Sequence, residues 1–558
     1  MSGLTAKSPA LPSGDAASSG RLSVDIRRFP WIRRLAGEYA LDYSQLADFF
    51  AGDPADPAAW RNAIAHASSH RRRRTELVDV LQAQQRRRES PPEALAAAAV
   101  LADPRSVTVV TGQQAGLFGG PLFTLLKALT ALQLAERVRA EHDVPAVAVF
   151  WVDAEDHDWD EVKACGIFDA QHAPRAVSVG DVPGARSEPV ARVRLDEAIT
   201  RALSELQAAL PATEFTPALL EDLRRCYAPG AGMADAFSRW LERVLGSRGL
   251  IVFDSSDPAA KPLAVDVFVR EIENPGVTTR LAAETGAALA LRGYHAQVTP
   301  AEGSLALFHI NAGRDPIKLV PGSYQVGDRI ESREALLEHA RTSPAEFSPN
   351  VLLRPVVQDT IFPTACYVAG PSELAYLGQL RGVYEAFDVP MPLIYQRATA
   401  TLVDSNAMRF LSKHEVPLEA LRAQDEAVLN ELLIAQLPKS VEIAVDVAGD
   451  TIEQRMDALA REVTKIDATL EGATRSTLSR MQDDLKKLHA KIVHAAKRKD
   501  ETLRRQFHHA RAQVFPNGHP QEREIGFVTF LNKYGPGLVD RLLETLPVEM
   551  GKHWVITI

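Results

Sequence analysis

The sequence predicts an α/β fold with a parallel-sheet core, helical insertions and a C-terminal α-helical coiled coil. Two strand-like apolar segments, 107–110 and 147–152, flank a glycine-rich turn and an apolar ladder of helical period. Strand, turn, helix and strand in this order form the opening unit of a parallel sheet. Near the other end, apolar residues between Ile452 and Ile492 recur at spacings of three and four, which is typical of a coiled coil.

Composition is that of an ordinary soluble protein. The chain has 558 residues, 46% apolar and 24% charged, which predicts roughly two to four domains. A formal net charge of −9 gives no general attraction to nucleic acid or anionic lipid. The 3 cysteines have no zinc-binding spacing, no signal peptide is recognisable, and no apolar run reaches the ~20 residues of a membrane helix. We therefore expect a cytoplasmic protein that binds neither membranes nor nucleic acid.

Shifts in composition and periodicity divide the chain into segments. We expect a disordered tail at 1–20, a mostly helical segment at 21–105, a sheet core at 106–400 with insertions at about 165–248 and 275–350, a linker at 401–450, a coiled coil at 451–515, and a C-terminal segment at 516–558 that packs back on the core. Further strands are expected at 296–298, 306–310, 317–320 and 351–357.

Polar residues stand at the ends of the predicted strands in several places. They are found at 111–114, 153–158, 254–257, 358–359 and 397. In parallel sheets, ligands bind beyond the carboxyl ends of the strands. One crevice assembled from several strand ends is therefore the predicted active site.

The glycine-rich turn GQQAGLFGGP is the first candidate ligand site within that crevice. It is neither a Walker A loop nor GxGxxG, but a turn before a helix can present backbone N–H groups to phosphate. The alternative is a tight turn made for packing, with Lys127 on the helix surface. The candidate binding residues here are Thr111, Gly112, Gln113, Gln114, Gly116, Gly119, Gly120 and Lys127.

The acidic cluster after the second strand is the candidate catalytic group. It consists of Glu155, Asp156, His157 and Asp158. Carboxylates and an imidazole at a strand end can hold Mg²⁺, accept a proton from an amine or orient a sugar hydroxyl. The alternative is a solvated acidic loop. A hydrolytic zinc centre is disfavoured because too few other histidines are placed to complete it, so no metal ligand is assigned.

Two basic runs, 71–74 and 86–88, interrupt the N-terminal helical pattern. RNA binding would need this charge on one face, preferably with aromatic residues for stacking, and none lies between Trp60 and Phe118. We expect a solvated helix face. His66 and His70 are spaced to share a helix face, but without a third ligand they predict a surface pair.

The coiled-coil region contains two apolar ladders. One runs from Ile452 to Leu470 and the other from Leu478 to Ala495, and residues 471–473 place them out of register. The region is therefore one rod with a stutter or an antiparallel hairpin. Gly472 and the candidate cap Asp467 favour the hairpin, and the exposed apolar seam predicts a homodimer.

Several separate motifs in this order resemble the bacillithiol biosynthesis cysteine-adding enzyme family, the cysteine ligases BshC. They are TGQQAGLFGGPLFTLLKA, FWVDAEDHDWDEV, SPNVLLRPVVQDTIFPTACYVAGPSELAYLGQL, PLIYQRAT and FPNGHPQEREIGFVTFLNKYGP. The resemblance runs from about Arg21 to the C-terminus. It implies a Rossmann-like core similar to class I aminoacyl-tRNA synthetases, connecting-peptide insertions, and a coiled coil that supports a homodimer. The usual Ala-Gly before the acidic cluster is Asp153-Ala154 here.

The implied reaction joins cysteine to the amine of glucosaminyl-malate, the last step of bacillithiol synthesis. Because a free carboxylate does not react with amines, we expect ATP to activate it, with Mg²⁺ as a companion ion. The synthetase signatures HIGH and KMSKS are not found, so adenylate chemistry does not simply follow from the resemblance. On this hypothesis the opposite wall of the crevice consists of Asn350, Arg354, Gln358, Glu373, Tyr376 and Arg397.

A competing interpretation is a non-catalytic, nucleotide-binding dimeric scaffold. The long coiled coil and the missing synthetase signatures favour it. Polar strand ends in several places argue against it, because a scaffold does not need them.

Overall fold

The computed structural model describes residues 21–558, except for 183, 187, 300, 302, 312, 436–438 and 500 and the side chains of 494 and 496–499. The expected disordered tail, 1–20, lies outside the described residues. Contacts between Cα atoms divide the chain into two units, one of 21–401 with 519–556 and one of 402–518 with 557–558. The first is called the core unit here, and the second the helical unit.

The strands are β1 Arg21–Asp25, β2 Val107–Gln114, β3 Ala146–Asp153, β4 Ala164–Phe168, β5 Pro174–Ser178, β6 Ile251–Asp254, β7 Ser304–Ile310, β8 Arg314–Val320, β9 Ser323–Val326, β10 Arg329–Glu331, β11 Phe347–Pro349, β12 Thr364–Ala369, β13 Leu393–Gln396, β14 Thr399–Val403 and β15 Lys552–Thr557. The helices are α1 Arg34–Leu41, α2 Pro57–Ser69, α3 Arg74–Arg88, α4 Pro92–Val100, α5 Leu122–His142, α6 Trp159–Val162, α7 Ala198–Ala209, α8 Thr216–Cys226, α9 Met233–Leu245, α10 Val265–Glu273, α11 Val277–Leu291, α12 Arg333–Thr342, α13 Arg354–Ile361, α14 Glu373–Leu377, α15 Arg381–Phe387, α16 Ser405–His414, α17 Ala427–Ala435, α18 Lys439–Val463, α19 Leu470–Lys499, α20 Glu501–Val514, α21 Gln521–Glu524, α22 Phe527–Tyr534 and α23 Gly537–Thr545.

A parallel sheet of five strands, in the order β13, β12, β2, β3, β6, is the centre of the core unit. The predicted α/β class is thereby confirmed. β2 and β3 are buried along most of their length, as expected for strands with both faces covered. The pairing aligns Gln114 with Asp153, so the carboxyl ends of these two strands lie side by side. Since β3 and β12 lie on opposite sides of β2, a topological switch point lies between β2 and β12.

Two insertions interrupt this sheet. The first, between β3 and β6, contains the β4–β5 hairpin and α6–α9. The second, between β6 and β12, contains an antiparallel sheet in the order β10, β9, β8, β7, β11 together with α10–α13. The strands expected at 306–310 and 317–320 are confirmed as β7 and β8.

Two of the expected strands are wrong. Residues 351–357 contribute to α13, because Asn350 Oδ1 accepts from the amides of Leu352 and Leu353 and Pro355 occupies the first helical turn. Gln358 is therefore buried inside a helix and does not end a strand. Residues 296–298 form no strand, because the side-chain amide of Gln379 bonds both the N–H and the C=O of Val298, at 3.0 Å each.

The basic runs do not form a simple solvated face. Arg72 donates to the carbonyl oxygens of Asp359 and Ala67, and Arg88 forms a buried ion pair of 2.8 Å with Glu242. Arg74 bonds Ser106 Oγ at 2.8 Å. The expected solvated face is therefore wrong for these three arginines. Their long side chains reach carbonyl oxygens, a hydroxyl and a carboxylate of the core unit, and these contacts hold α3 against the core. The other arginines of the runs are exposed.

The C-terminal residues 519–556 group with the core unit. β15 pairs antiparallel with β1, in a small sheet of order β1, β15, β14. Gly526 donates from its amide to the carbonyl of Gly166 at 2.7 Å, between α21 and α22. An added Cβ at Gly526 would meet Cys165 Sγ, so only glycine allows this close backbone approach.

The helical unit contains the predicted coiled-coil hairpin, and its antiparallel form is confirmed. α18 and α19 pack along each other, and His489 lies 3.1 Å from Glu442 near their far ends. The turn lies at 464–469, where Asp467 Oδ1 accepts from the amide of Thr469, and Gly472 is inside α19. α18 begins at Lys439, so helix extends into the expected linker at 401–450, which also contains α16 and α17. Among the described residues, no helix combines the length and apolar character that crossing a membrane would require.

Candidate functional site

A cavity of about 620 Å³ opens at the carboxyl ends of β2, β3, β12 and β13 in the core unit. It lies at the topological switch point, where parallel sheets bind ligands. The structure brings together ten of the residues predicted from the sequence. They are Gly112, Gln113, Gln114, Lys127, Asp156, Asn350, Arg354, Glu373, Tyr376 and Arg397.

Lys127 and Glu373 form an ion pair at the centre of one wall. Lys127 is buried, and its Nζ lies 2.6 Å from Glu373 Oε2 and 2.8 Å from the carbonyl oxygen of Gly112. Burial acts to raise the pKa of Glu373, but the charge of Lys127 and its hydrogen bond outweigh burial and lower it. Tyr367 OH donates to the other carboxylate oxygen at 2.9 Å. The carboxylate therefore fixes the lysine at the end of β2.

Arg354 presents a guanidinium to the neighbouring wall. Its Nη2 donates to Tyr376 OH at 3.0 Å, and its Nε lies 3.8 Å from Asp153 Oδ2. Burial raises the pKa of Asp153, although Arg354 acts against that shift. Asn350 lies just before α13, the helix that begins at Arg354, and its side-chain oxygen accepts from the amides of Leu352 and Leu353. This wall can bind a carboxylate or phosphate through Arg354.

Asp156 lies on the opposite wall. Its Oδ2 accepts from Gln114 Nε2 at 2.7 Å, and its Oδ1 lies 4.0 Å from Arg314 Nη1. Arg314 donates to the carbonyl oxygen of Pro349 at 2.9 Å, but its buried Nε has no hydrogen-bond partner among the described residues. Burial raises the pKa of Glu161, which also lines the cavity and bonds Gln114. An anionic group of a ligand would give the free Arg314 N–H a partner.

Arg397 closes the cavity beside the C-terminal residues. It forms a bidentate pair with Glu522, at 3.0 and 2.7 Å, which fixes its guanidinium. Its Nε has no hydrogen-bond partner within the described part of the chain. Phe123 lies under Arg397 and Arg523, and its ring centroid is 5.4 and 5.8 Å from their guanidinium carbons. Both arginines line the cavity.

Five other predicted binding residues do not line the cavity. Thr111 is buried and donates to the carbonyl oxygen of Val368 at 3.0 Å. Gln358 is buried within α13 and bonds Asp359 Oδ1. Gly116, Gly119 and Gly120 form the turn before α5, which packs against Tyr227, Trp240 and Phe527. Aromatic side chains cover these glycines, and their contact with a phosphate stays a prediction.

Three of the four candidate catalytic residues also lie outside the cavity. Glu155 is buried in an ion pair with Lys261. His157 is exposed, with its Nδ1 3.4 Å from Asp156 Oδ1, and Asp158 caps α6 by accepting from the amide of Glu161. The alternation of an extended segment turns Glu155 away from Asp156. Only Asp156 faces the cavity, and catalytic roles for the other three stay predictions.

Several lining residues were not selected from the sequence. They are Asp153, Glu161, Arg314, Tyr367 and Arg523. Asp153 and Glu161 border the acidic cluster, so the position after β3 was a usable signal. Arg314 and Arg523 come from the second insertion and the C-terminal residues, and only the folded chain brings them to the sheet.

The assembled site combines cations for anionic groups with carboxylates for protons or a metal ion. Arg314, Arg354 and Arg523 are suited to carboxylate or phosphate. Asp153, Asp156 and Glu161 supply the oxygen ligands that Mg²⁺ prefers, and they can accept a proton. Such a site fits the chemistry of joining small, charged metabolites.

Comparison with known proteins identifies the family. Residues 23–398 match the family described as Bacillithiol biosynthesis BshC, N-terminal Rossmann-like domain, and residues 400–558 match its C-terminal coiled-coil domain. The chain is 35% identical over 524 residues to the "Putative cysteine ligase BshC" of Salinibacter ruber, covering 93% of this chain and 95% of that protein. It is 33% identical over 560 residues to the protein of the same name from Chlorobaculum tepidum, covering 94% and 97%. The chain therefore belongs to the bacillithiol biosynthesis BshC family.

Proposed function

We propose that this chain is a cysteine ligase of bacillithiol biosynthesis, which joins the carboxyl group of cysteine to the amine of glucosaminyl-malate. The observation that supports this most is the polar cavity at the switch point of the sheet, in a chain whose relatives are named cysteine ligases. Two malate carboxylates, one amine and one cysteine carboxylate require cations on one side and a proton acceptor on the other. The cavity contains both.

The malyl carboxylates are the groups that the cavity arginines suit best. Arg314 has an Nε without a hydrogen-bond partner among the residues described. A buried N–H without a partner costs free energy, about 1–3 kcal/mol, which a bound carboxylate would recover. Arg354 offers a second guanidinium, held by Tyr376. We therefore assign the malyl group to the side of the cavity that contains Arg314 and Arg354.

The amine would lie near Asp156. The carboxylate is fixed by Gln114, and Asp153 and Glu161 line the same cavity, where burial raises their pKa values. A sugar ammonium must lose a proton before its nitrogen attacks a carbonyl carbon. Asp156 is the proposed acceptor of that proton.

Activation of the cysteine carboxyl by ATP is the remaining part of the proposal. A phosphoryl or adenylyl group on the carboxylate oxygen supplies a leaving group, the amine nitrogen forms the new C–N bond, and phosphate or AMP departs. The strand end at Gly112–Gln114 and the buried Lys127 lie where nucleotides bind in parallel sheets. Mg²⁺ would be held by the cavity carboxylates. The chain is proposed to act in the cytoplasm as a homodimer, through the exposed apolar seam of α18 and α19.

Low-molecular-weight thiols measured by mass spectrometry test the proposal in cells. A strain lacking this chain should lose bacillithiol and accumulate glucosaminyl-malate, and the restored gene should reverse both changes. Restoration with an Asp156→Asn variant should fail, whereas Asp79→Asn, exposed on α3 outside the cavity, should succeed. Unchanged bacillithiol in the deletion strain would contradict the proposal and favour the non-catalytic scaffold.

A further inference from the structure

Two histidines and a glutamate meet in the second insertion. His309 is on β7, His339 is on α12, and Glu346 immediately precedes β11. Their ligand atoms all lie within 4.8 Å of one another. Glu346 Oε2 is 3.3 Å from His309 Nε2 and 2.9 Å from His339 Nε2. This cluster is separate from the cavity, because Phe308 lines the cavity and the next residue of a strand points to the opposite face.

His309 is the most informative member of the cluster. The residue is only 2% exposed, its Nδ1 has no hydrogen-bond partner among the described residues, and its Nε2 lies 3.3 Å from Glu346 Oε2 without the geometry of a good hydrogen bond. Buried polar side chains are almost always hydrogen-bonded or bound to a metal, since an unsatisfied group costs about 1–3 kcal/mol. The ring is held by Phe347, whose centroid is 5.7 Å away at an angle of 88°. His309 is therefore a fixed, buried imidazole whose ring nitrogens are not satisfied by well-formed hydrogen bonds.

The spacing of the donor atoms fits a tetrahedral metal ion. Ligands at about 2.0–2.1 Å from zinc lie about 3.3 Å from each other, close to the two separations at Glu346. Two histidines and one carboxylate are a common zinc ligand set. Glu346 is half-exposed, so solvent can supply a fourth ligand. Glu331 Oε2 lies 3.9 Å from Nδ1 of His339. An acidic group on that side of the ring can orient an imidazole that binds a metal through its other nitrogen.

We propose that His309, His339 and Glu346 form a site for a divalent transition metal ion, with zinc as the preferred ion. The site joins β7, α12 and the residue before β11, three elements of the second insertion. β11 leads directly to Asn350, which lines the cavity. Its role is to fix the second insertion, and through it one wall of the cavity.

Zinc binding to the full chain tests the site without any measurement of activity. The protein, freed of metal with a chelator and dialysed, is titrated with Zn²⁺ in competition with a chromophoric chelator. One equivalent should bind with a dissociation constant at or below about 1 μM, as expected for a three-ligand protein site. Cobalt(II) in its place should give the visible absorption of a tetrahedral ion. Zinc should also raise the midpoint of thermal unfolding.

Variants locate the metal. Glu346→Gln and His339→Gln should weaken zinc binding by at least about tenfold and remove the thermal shift, because each loses a ligand. Glu338→Gln, on the exposed face of the same helix, should bind zinc as the unmodified chain does. Circular dichroism checks that each variant is folded, and Glu346→Gln is the least disruptive because Glu346 is half-exposed.

Two results would overturn the proposal. One is the failure of the unmodified chain to bind an equivalent of zinc. The other is equal binding by Glu346→Gln, His339→Gln and Glu338→Gln, with loss only in a His66→Ala variant, which would place the metal at the surface histidine pair on α2.

Discussion

Lys127 Nζ and Glu373 Oε2 lie 2.6 Å apart where β2 and β12 diverge. The pair joins α5 to the first residue of α14, across the switch point of the sheet. Glu373 also accepts from the amide of Gly370 at 2.6 Å and from Tyr367. One carboxylate thus connects both sides of the crevice.

Replacing Glu373 should lower stability strongly. Glu373→Gln leaves Lys127 buried without its counter-charge, and we expect a loss of about 3–5 kcal/mol in the free energy of unfolding. Glu385→Gln, from an exposed pair with Arg381, should cost no more than about 0.5 kcal/mol. Chemical denaturation of both variants provides the measurement. Equal stabilities would contradict a structural role for the buried pair.

The same pair predicts a dependence on pH. The folded-state pKa of Glu373 is lowered from 4.5, so its stabilising contribution is complete above that value and is lost as pH falls through the lowered pKa. The stability difference between the unmodified chain and Glu373→Gln should therefore shrink at acid pH. A difference that stays constant down to pH values below the lowered pKa would show that the ionised carboxylate is not responsible.

Arg354→Lys should reduce catalysis without unfolding the chain. Lysine keeps the charge but loses the planar fork that faces Tyr376, Gln358 and Asp153. We expect kcat/KM for glucosaminyl-malate to fall by about 10- to 100-fold, or about 1.4–2.8 kcal/mol. Arg341→Lys, exposed on α12, is the matched control and should be unchanged. Similar values for both variants would remove Arg354 from the proposed binding wall.

Asp156 and His157 are neighbours with different expected effects. Asp156→Asn removes the proposed proton acceptor from the cavity, and kcat should fall by about 10²- to 10⁴-fold. His157→Ala removes an exposed imidazole and should change kcat by less than about threefold. Steady-state kinetics of the two purified variants compare them directly. A large loss in His157→Ala with a mild one in Asp156→Asn would assign the catalytic role to His157 instead.

Two glycines should respond to alanine in opposite directions. Gly119 has φ +95°, and an added Cβ would meet Phe527, so Gly119→Ala should destabilise the core unit by more than about 1–2 kcal/mol. Gly472 lies inside α19 with no atom within 4 Å of an added Cβ, so Gly472→Ala should stabilise that helix by up to about 1 kcal/mol. Thermal unfolding measures both changes. A neutral Gly119→Ala would show that the turn is not closely packed.

The exposed seam of the hairpin should control association. Met481 and Leu488 are exposed on α19. They belong to the apolar ladder and lie on either side of Leu485, four and three residues from it. A Met481→Glu, Leu488→Glu double variant should convert the proposed homodimer to a monomer in light scattering, because charge on the seam opposes burial. Lys486→Glu, at an exposed position between them, should leave the dimer intact. A dimer that survives the double variant would place the interface elsewhere.

Local patterns predicted the sheet and the place of the cavity well. β2, β3, β7 and β8 appear where β-branched and alternating apolar residues indicated strands. Polar residues at 111–114, 153–158 and 397 contribute to the cavity, whereas those at 254–257 and 358–359 do not line it. The error at 351–357 arose because Val356 and Val357 favour a strand, whereas Asn350 and Pro355 start a helix. Propensity was overridden by turn and capping chemistry at this point.

The direction of side chains was harder to predict than their positions. Glu155 and Asp156 are adjacent in sequence, yet one lies in a buried pair with Lys261 and the other in the cavity. Arg314 and Arg523 reach the site from segments far away in sequence, and no local pattern indicates where an insertion folds back. The glycine-rich turn suggested a ligand site, but Tyr227, Trp240 and Phe527 pack against it. These three residues are far from the turn in sequence, so no local pattern predicts the contact.

The most direct measurement is a reaction of the purified full chain with ATP, Mg²⁺, cysteine and glucosaminyl-malate, followed by mass spectrometry. The account predicts formation of bacillithiol, with one ATP converted to ADP or AMP for each amide bond and a reaction lost in Asp156→Asn. Persistent absence of product and of ATP turnover, with a folded protein and authentic substrates, would contradict the account and favour a binding protein.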